Sequence, residues 1–192
     1  MTEITVTKEM LADLMDGQLG DDYVQQLQRM RRKDKGRFWT YLEVLQGRVP
    51  WDDKILIRLT DHLYIVRKLE GGRIVKCDCG HEFGDYRVNW KLGCRIRVRR
   101  TAAEFEEVYS PAYVIPEPDW MSIREYFCPG CAVQLAVEVV PPGYPPLFDM
   151  LPDLDSLYRD ILGEPLEDEG PEWFHDRTNE TTLSWAKGGD DA

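Results

Sequence analysis

Two short clusters of cysteines hold the residue types in this chain best suited to chemistry. Cys77-Asp78-Cys79 and Cys128-Pro129-Gly130-Cys131 each hold two thiols within a few residues, and paired thiolates are ligands for a soft, tetrahedral metal ion. A structural zinc site takes four thiolate or imidazole ligands, and two such clusters brought together by strands supply them. Residues 80–127 separate the clusters. That is longer than the usual ribbon spacing, so an insertion must lie between the two knuckles. A knuckle commonly has Gly after its second cysteine, where the backbone takes a conformation other residues resist. Gly80 fills that place in the first knuckle, but Ala132 stands in the second. Reduced core cysteines, a redox pair at Cys77 and Cys79, and a rubredoxin-like iron centre are the competing readings of the same thiols.

Four thiolates around one ion leave no open position for water or substrate, so such a site folds a protein and does not catalyse. The fifth cysteine, Cys94, falls on the apolar side of an alternating stretch and reads as a buried free thiol. His81 lies close enough to Cys79 to replace a thiolate or to hydrogen-bond one, though it reads first as a satisfied loop histidine. His62 and His175 have no neighbouring nucleophile. No phosphate-cradling glycine loop, His-Glu metal helix or nucleophile motif occurs, so no catalytic residue is assigned. Asp52-Asp53 reads as loop acids or a cap.

The elements that position these groups follow from periodicity. Thr7 can cap a short helix through Met15 that Gly17 stops. A second helix starts at Asp21-Asp22 and ends among Arg29, Arg31 and Arg32, with charges that suit its dipole. A third carries Phe38, Tyr41, Leu42 and Leu45 on one face. From Lys54 the period becomes that of strands, and Arg73 to Lys76 lead straight into Cys77. Cys94, Ile96 and Val98 alternate with Arg95, Arg97 and Arg99, which predicts a strand with its apolar face buried and its arginines wet. Residues 102–109 read as a short acidic helix, and strands from Met121 to Phe127 and Val133 to Val140 place the second cysteine pair at a hairpin tip. Pro141, Pro142, Pro145 and Pro146 hold an extended segment before a last helix carrying Leu154, Leu157, Tyr158, Ile161 and Leu162. The acidic tail beyond cannot form a core of its own. Its Trp173, Phe174 and Trp185 suit either a strip ordering on a partner or incidental aromatics in solvent.

The expected fold class is α+β: a zinc-ribbon-like antiparallel β-sheet core with N-terminal helices, an insertion between the two knuckles and an extended C-terminal arm. The expected division is a helical docking segment (1–49), a zinc-binding β-rich core (50–140), a Pro-rich arm with a C-terminal helix (141–166), and an acidic tail (167–192). At 192 residues with 43% apolar composition, the chain can bury one proper core. No export signal or membrane-length apolar run occurs, so the chain reads as cytoplasmic, where its thiols stay reduced. A net charge of −11 repels polyanions. It opposes the main alternative, a zinc-ribbon adaptor of transcription or nucleic-acid machinery using Arg95, Arg97, Arg99 and Arg100.

Four segments in fixed order carry a resemblance: Pro50-Trp51-Asp52-Asp53-Lys54, Cys77 through Phe83, Asn89-Trp90-Lys91-Leu92, and Arg124 through Cys131. Together they resemble the small, gamma subunit of acetone carboxylase, over about Phe38 to Leu166; the tail beyond departs from that pattern. The resemblance implies an α2β2γ2 heterohexamer that carboxylates acetone, or a related ketone, to a 3-keto acid such as acetoacetate with bicarbonate and ATP. It also implies nucleotide sites and manganese on the alpha and beta large subunits, and zinc on this one. The implied role is a noncatalytic subunit that braces or caps its partners, without nucleic acid or membrane. Asp52 and Asp53 are then the positions to test for contact with a large subunit. Trp51, Trp90 and Trp120 read as core filling, and Arg124-Glu125 as a strand-edge pair.

Overall fold

Helix α1 (Lys8–Met15) begins where expected, with Thr7 Oγ1 accepting the Met10 amide at 3.2 Å, and Gly17 follows it in the left-handed conformation. This is a computed structural model that describes residues 5–31, 34, 36–110 and 114–188. Helix α2 (Asp21–Arg29) and α3 (Arg37–Gln46) follow, and Val6, Leu11, Leu27 and Val44 close a small apolar cluster among the three. The N-terminal hairpin thus buries its stripe against α3 of its own chain.

Strands β1 (Lys54–Arg58), β2 (Leu63–Arg67), β3 (Arg73–Cys77) and β4 (Glu82–Asp85) form an antiparallel meander in that order. Alternation assigns the faces. Tyr64 and Val66 pack with Ile55 on Leu42 and Leu45 of α3, whereas Leu63, Ile65 and Val75 turn to the main core. A second sheet, β5 (Arg95–Arg99), β6 (Ser122–Phe127) and β7 (Gln134–Val140), is also antiparallel, with β6 central. The residues between the knuckles therefore serve both sheets: β4 completes the first, and β5 and β6 build most of the second. A short 3₁₀ turn, Trp90–Gly93, links them and drives Trp90 into the main core.

Strand β5 differs from the expected alternation. Ile96 is 44% exposed, while Arg99 is buried at 4%. The cause is helix α4 (Ala102–Glu106), held by a capping box between Thr101 and Glu104. It folds Glu107 back onto the arginine face, so Arg99 meets Glu107 at 2.5 Å and Glu125 at 2.6 Å, and Arg97 meets Glu107 at 2.7 Å. Apolar alternation lost to ion pairing with acids that α4 and β6 bring onto this face.

The Pro-rich segment lies along the opposite face of the second sheet. The Arg124 guanidinium donates to the Tyr144 and Pro145 carbonyls, and Asn89 donates to that of Pro146. Beneath it, Glu138 receives Lys91 Nζ (2.7 Å), Arg124 (2.6 Å), the Tyr126 hydroxyl (2.7 Å) and the Leu147 amide (3.1 Å). Arg124 and Glu125 are therefore not a pair. Neighbours on a strand face opposite ways, and each finds its partner elsewhere. Helix α5 starts at Leu154–Ser156 and widens to a π-turn over Leu157–Leu162. It buries Tyr158, whose hydroxyl donates to the Leu56 carbonyl at 2.7 Å.

The tail docks on its own chain. Fully buried Arg73 meets Asp155 (2.6 Å) and Asp168 (3.1 Å), and Trp173 stacks on Tyr86 beside Arg73 and Arg87. Phe174 and Trp185, on helix α6 (Thr178–Gly188) and the turn before it, stay exposed. Among the described residues, no helix is long and apolar enough to cross a membrane.

Candidate metal centre

Strand β3 delivers Cys77 to its last position, paired with Leu63 of β2, and the chain then reverses within three residues. The Gly80 amide donates to the Cys77 carbonyl at 2.8 Å, and the Cys77 amide to that of His81 at 2.9 Å. Gly80 sits at φ 93°, which explains the glycine. The β6–β7 hairpin builds the second knuckle in the same way. The Ala132 amide donates to the Cys128 carbonyl at 2.9 Å, and the Cys128 amide to that of Val133 at 3.0 Å. Here Ala132 takes φ 61°, the conformation expected of glycine, so this knuckle keeps the turn at the cost of local strain.

The two tips meet. Cys77 Sγ lies 3.8 Å from Cys131 Sγ, and Cys79 Sγ 3.7 Å from Cys128 Sγ. All four sulfurs fall within 4.8 Å of one another. An ion holding four sulfurs tetrahedrally at about 2.3 Å spaces them about 3.8 Å apart, so this donor set fits zinc in both chemistry and size. Cys77 and Cys128 are buried, while Cys79 and Cys131 are exposed. Burial pushes the Cys77 thiol far above its ordinary range, with sulfur neighbours adding to the rise. A cation among the sulfurs would reverse that balance.

The residues around the knuckles brace them. Trp51 Nε1 donates to the Cys77 and Asp78 carbonyls, both at 3.2 Å, and Asp78 meets His62 Nδ1 at 2.6 Å. A side chain on Gly130 would press on His81 Cβ at 3.1 Å and on Cys79 Sγ at 3.2 Å. His81 is therefore packed against the site, edge-on to Phe83, but stands outside the sulfur cluster. Cys94 also stays outside. Burial pushes its thiol up to about 12, and its Sγ donates to the Trp90 carbonyl.

Asp53, expected at a partner contact, is instead buried. Its carboxylate receives Lys76 Nζ at 2.5 Å and Lys68 at 3.5 Å. Burial would raise Asp53, but the two lysines outweigh it and hold it below its ordinary value. Of the tryptophans expected in the core, Trp90 is buried, Trp51 is half-buried against the knuckle, and Trp120 is 75% exposed. Sequence reasoning assigned no structural role to Lys91 or Glu138, which meet across a long stretch of chain, or to Gln46, whose side chain bonds the Trp51 and Asp53 carbonyls and the Ile55 amide just beyond helix α3. Glu138 did carry one signal, a lone charge within a run of apolar strand residues.

The chain is similar to known proteins over most of its length. The family described as Acetone carboxylase gamma subunit matches residues 49–162. The chain is 44% identical over 161 residues to the Acetone carboxylase gamma subunit of Xanthobacter autotrophicus, covering 83% of this chain and 95% of that one. It is 37% identical over 81 residues to the Acetophenone carboxylase beta subunit of Aromatoleum aromaticum, covering 42% of this chain and 63% of that one.

Proposed function

The chain belongs to the acetone carboxylase gamma subunit family, and from that premise we propose that it is the small, zinc-bearing structural subunit of an ATP-dependent ketone carboxylase. The proposed reaction joins acetone, or a related ketone, to bicarbonate and yields a 3-keto acid such as acetoacetate. The observation that carries this reading is the 44% identity running through 95% of a relative that is itself named as such a subunit. We place the partners as alpha and beta large subunits in an α2β2γ2 assembly working in the cytoplasm, with ATP and manganese sites on the large subunits.

In this reading Cys77, Cys79, Cys128 and Cys131 hold the ion. When bound, zinc supplies a closed, four-sulfur crosslink between the end of the first sheet and a hairpin of the second. Trp51 orients the first knuckle through its two carbonyl bonds, and Gly130 lets the second approach. A bracing role is supported by where four of the chain's cations lie. Lys76, Lys91, Arg73 and Arg99 are all buried in ion pairs, which leaves them unable to reach a substrate. The nucleic-acid alternative is weakened for a related reason, since two of its four arginines, Arg97 and Arg99, are neutralised by Glu107 and Glu125.

The test is reconstitution. ATP-dependent carboxylation of acetone is measured with large subunits purified with and without this chain, alongside elemental analysis of the chain itself. Activity that needs the chain, with zinc bound to it, supports the reading. Undiminished activity without the chain, or iron in place of zinc, refutes the corresponding part.

A further inference from the structure

A sulfur that ligates a metal as a thiolate keeps lone pairs and stays oxidisable, so the reactivity of such a site follows the exposure of each sulfur. The four donors here divide evenly. Cys77 and Cys128 are fully buried, while Cys79 and Cys131, one from each knuckle, are exposed. Gly130 stands beside Cys79 with no side chain to cover its sulfur; a Cβ there would come within 3.2 Å of Sγ.

Each exposed sulfur also has a buried one within reach across the gap. Cys79 Sγ lies 3.7 Å from Cys128 Sγ, and Cys131 Sγ lies 3.8 Å from Cys77 Sγ. Both contacts run from one knuckle to the other. The remaining thiol, Cys94, is set apart from the four, outside the sulfur cluster and bonded to the Trp90 carbonyl.

We propose that Cys79 and Cys131 are sites of oxidation by hydrogen peroxide, and that this oxidation closes a disulfide between the knuckles and expels the metal ion. The proposal rests on the zinc assignment above, and not on the carboxylase reaction. The Cys79 thiolate attacks the O–O bond of the peroxide; one oxygen joins the sulfur as a sulfenic acid, and the other leaves as hydroxide. The Cys128 thiolate then attacks the sulfenic sulfur, an S–S bond forms, and a second hydroxide leaves. The two sulfurs have lost two electrons and the peroxide has gained them. Oxidation that starts at Cys131 runs the same course with Cys77. An ion left with half of its thiolates is no longer held. The disulfide takes over the crosslink between the sheets, so a thiol reductant and zinc restore the centre.

The test uses the zinc-loaded protein as purified from its host. Hydrogen peroxide is added, zinc release is followed by the absorbance of a chromophoric chelator, and the product is digested with trypsin without reduction and weighed. Trypsin cuts after Lys76, Arg87, Arg124 and Arg159, so Cys77 and Cys79 share one peptide, and Cys128 and Cys131 share another. A disulfide between the knuckles joins the two peptides, whereas one within a knuckle leaves them separate. The expected result is one zinc ion released per joined pair, with bound zinc recovered after dithiothreitol and added zinc. Brief alkylation of the loaded protein should label Cys79 and Cys131 at least about tenfold faster than Cys77 and Cys128. A Cys94→Ser variant should release zinc at the wild-type rate. Zinc retained under peroxide, disulfides confined within a knuckle, equal labelling of all four thiols, or release abolished by Cys94→Ser overturns the proposal. Absence of zinc before peroxide is added removes the metal assignment itself, and this proposal with it.

Discussion

Glu138→Ala should be among the most damaging single substitutions outside the metal site. Its carboxylate is 5% exposed and is the meeting point of Lys91, Arg124, Tyr126 and the Leu147 amide, with Lys91 itself 1% exposed. Removing one member of a buried pair costs about 3–5 kcal/mol, because the other charge stays buried. Lys91 keeps a second partner in half-exposed Asp149, which places the loss near the lower end, about 3 kcal/mol. For a chain of this size each kcal/mol moves Tm by about 2–4 °C, so the fall should be about 6–12 °C. The assay is thermal and urea unfolding of the zinc-loaded chain. A double variant, Lys91→Met with Glu138→Leu, removes the buried Lys91–Glu138 pair, leaves Arg124 on the Tyr144 and Pro145 carbonyls, and should recover part of the loss. A loss below about 1 kcal/mol for Glu138→Ala, or no recovery in the double variant, would show that the cluster does not anchor the Pro-rich segment as described.

The same carboxylate gives a pH dependence. Burial raises Glu138, but Lys91 and Tyr126 outweigh it, so its folded value lies below its ordinary one. Its stabilisation is therefore complete at neutral pH and is lost as pH falls below about 4.3 toward the depressed folded value; urea unfolding of Glu138→Gln should show a flatter decline there than the wild type. Ala132→Gly should relieve the strained φ of 61° and raise stability by about 0.5–1 kcal/mol, read from the urea midpoint. Gly130→Ala should drive a methyl group toward Cys79 Sγ and His81 and speed zinc transfer to a chromophoric chelator several-fold, followed by absorbance.

How far the fold could be read in advance depended on how local its causes are. The four cysteines, the Thr7 cap and the hairpin carrying Cys128 and Cys131 follow from short-range rules, and the structure has each in place. The α+β class with antiparallel strands was legible from the change of period at Lys54, but the expected single sheet core is in fact two sheets, because the chain between the knuckles adds β4 to the first and β5 and β6 to the second. What sequence reasoning missed depends on partners far along the chain. Arg99 is buried because Glu107 and Glu125 converge on it, and Asp53 because Lys76 does. Trp173 leaves solvent because Tyr86, Arg73 and Arg87 form a cradle that no local pattern announces. Ala132 shows the opposite case, where a poor local fit is overridden by the requirement that two knuckle tips meet.

The proposed function makes this chain a zinc-bearing small subunit within a ketone carboxylase. The most direct test is native mass spectrometry with elemental analysis on the protein purified gently from its own host. One zinc ion per chain and co-purification with two larger subunits are the expected result. A metal-free chain, or a lone monomer bound to DNA, would contradict it.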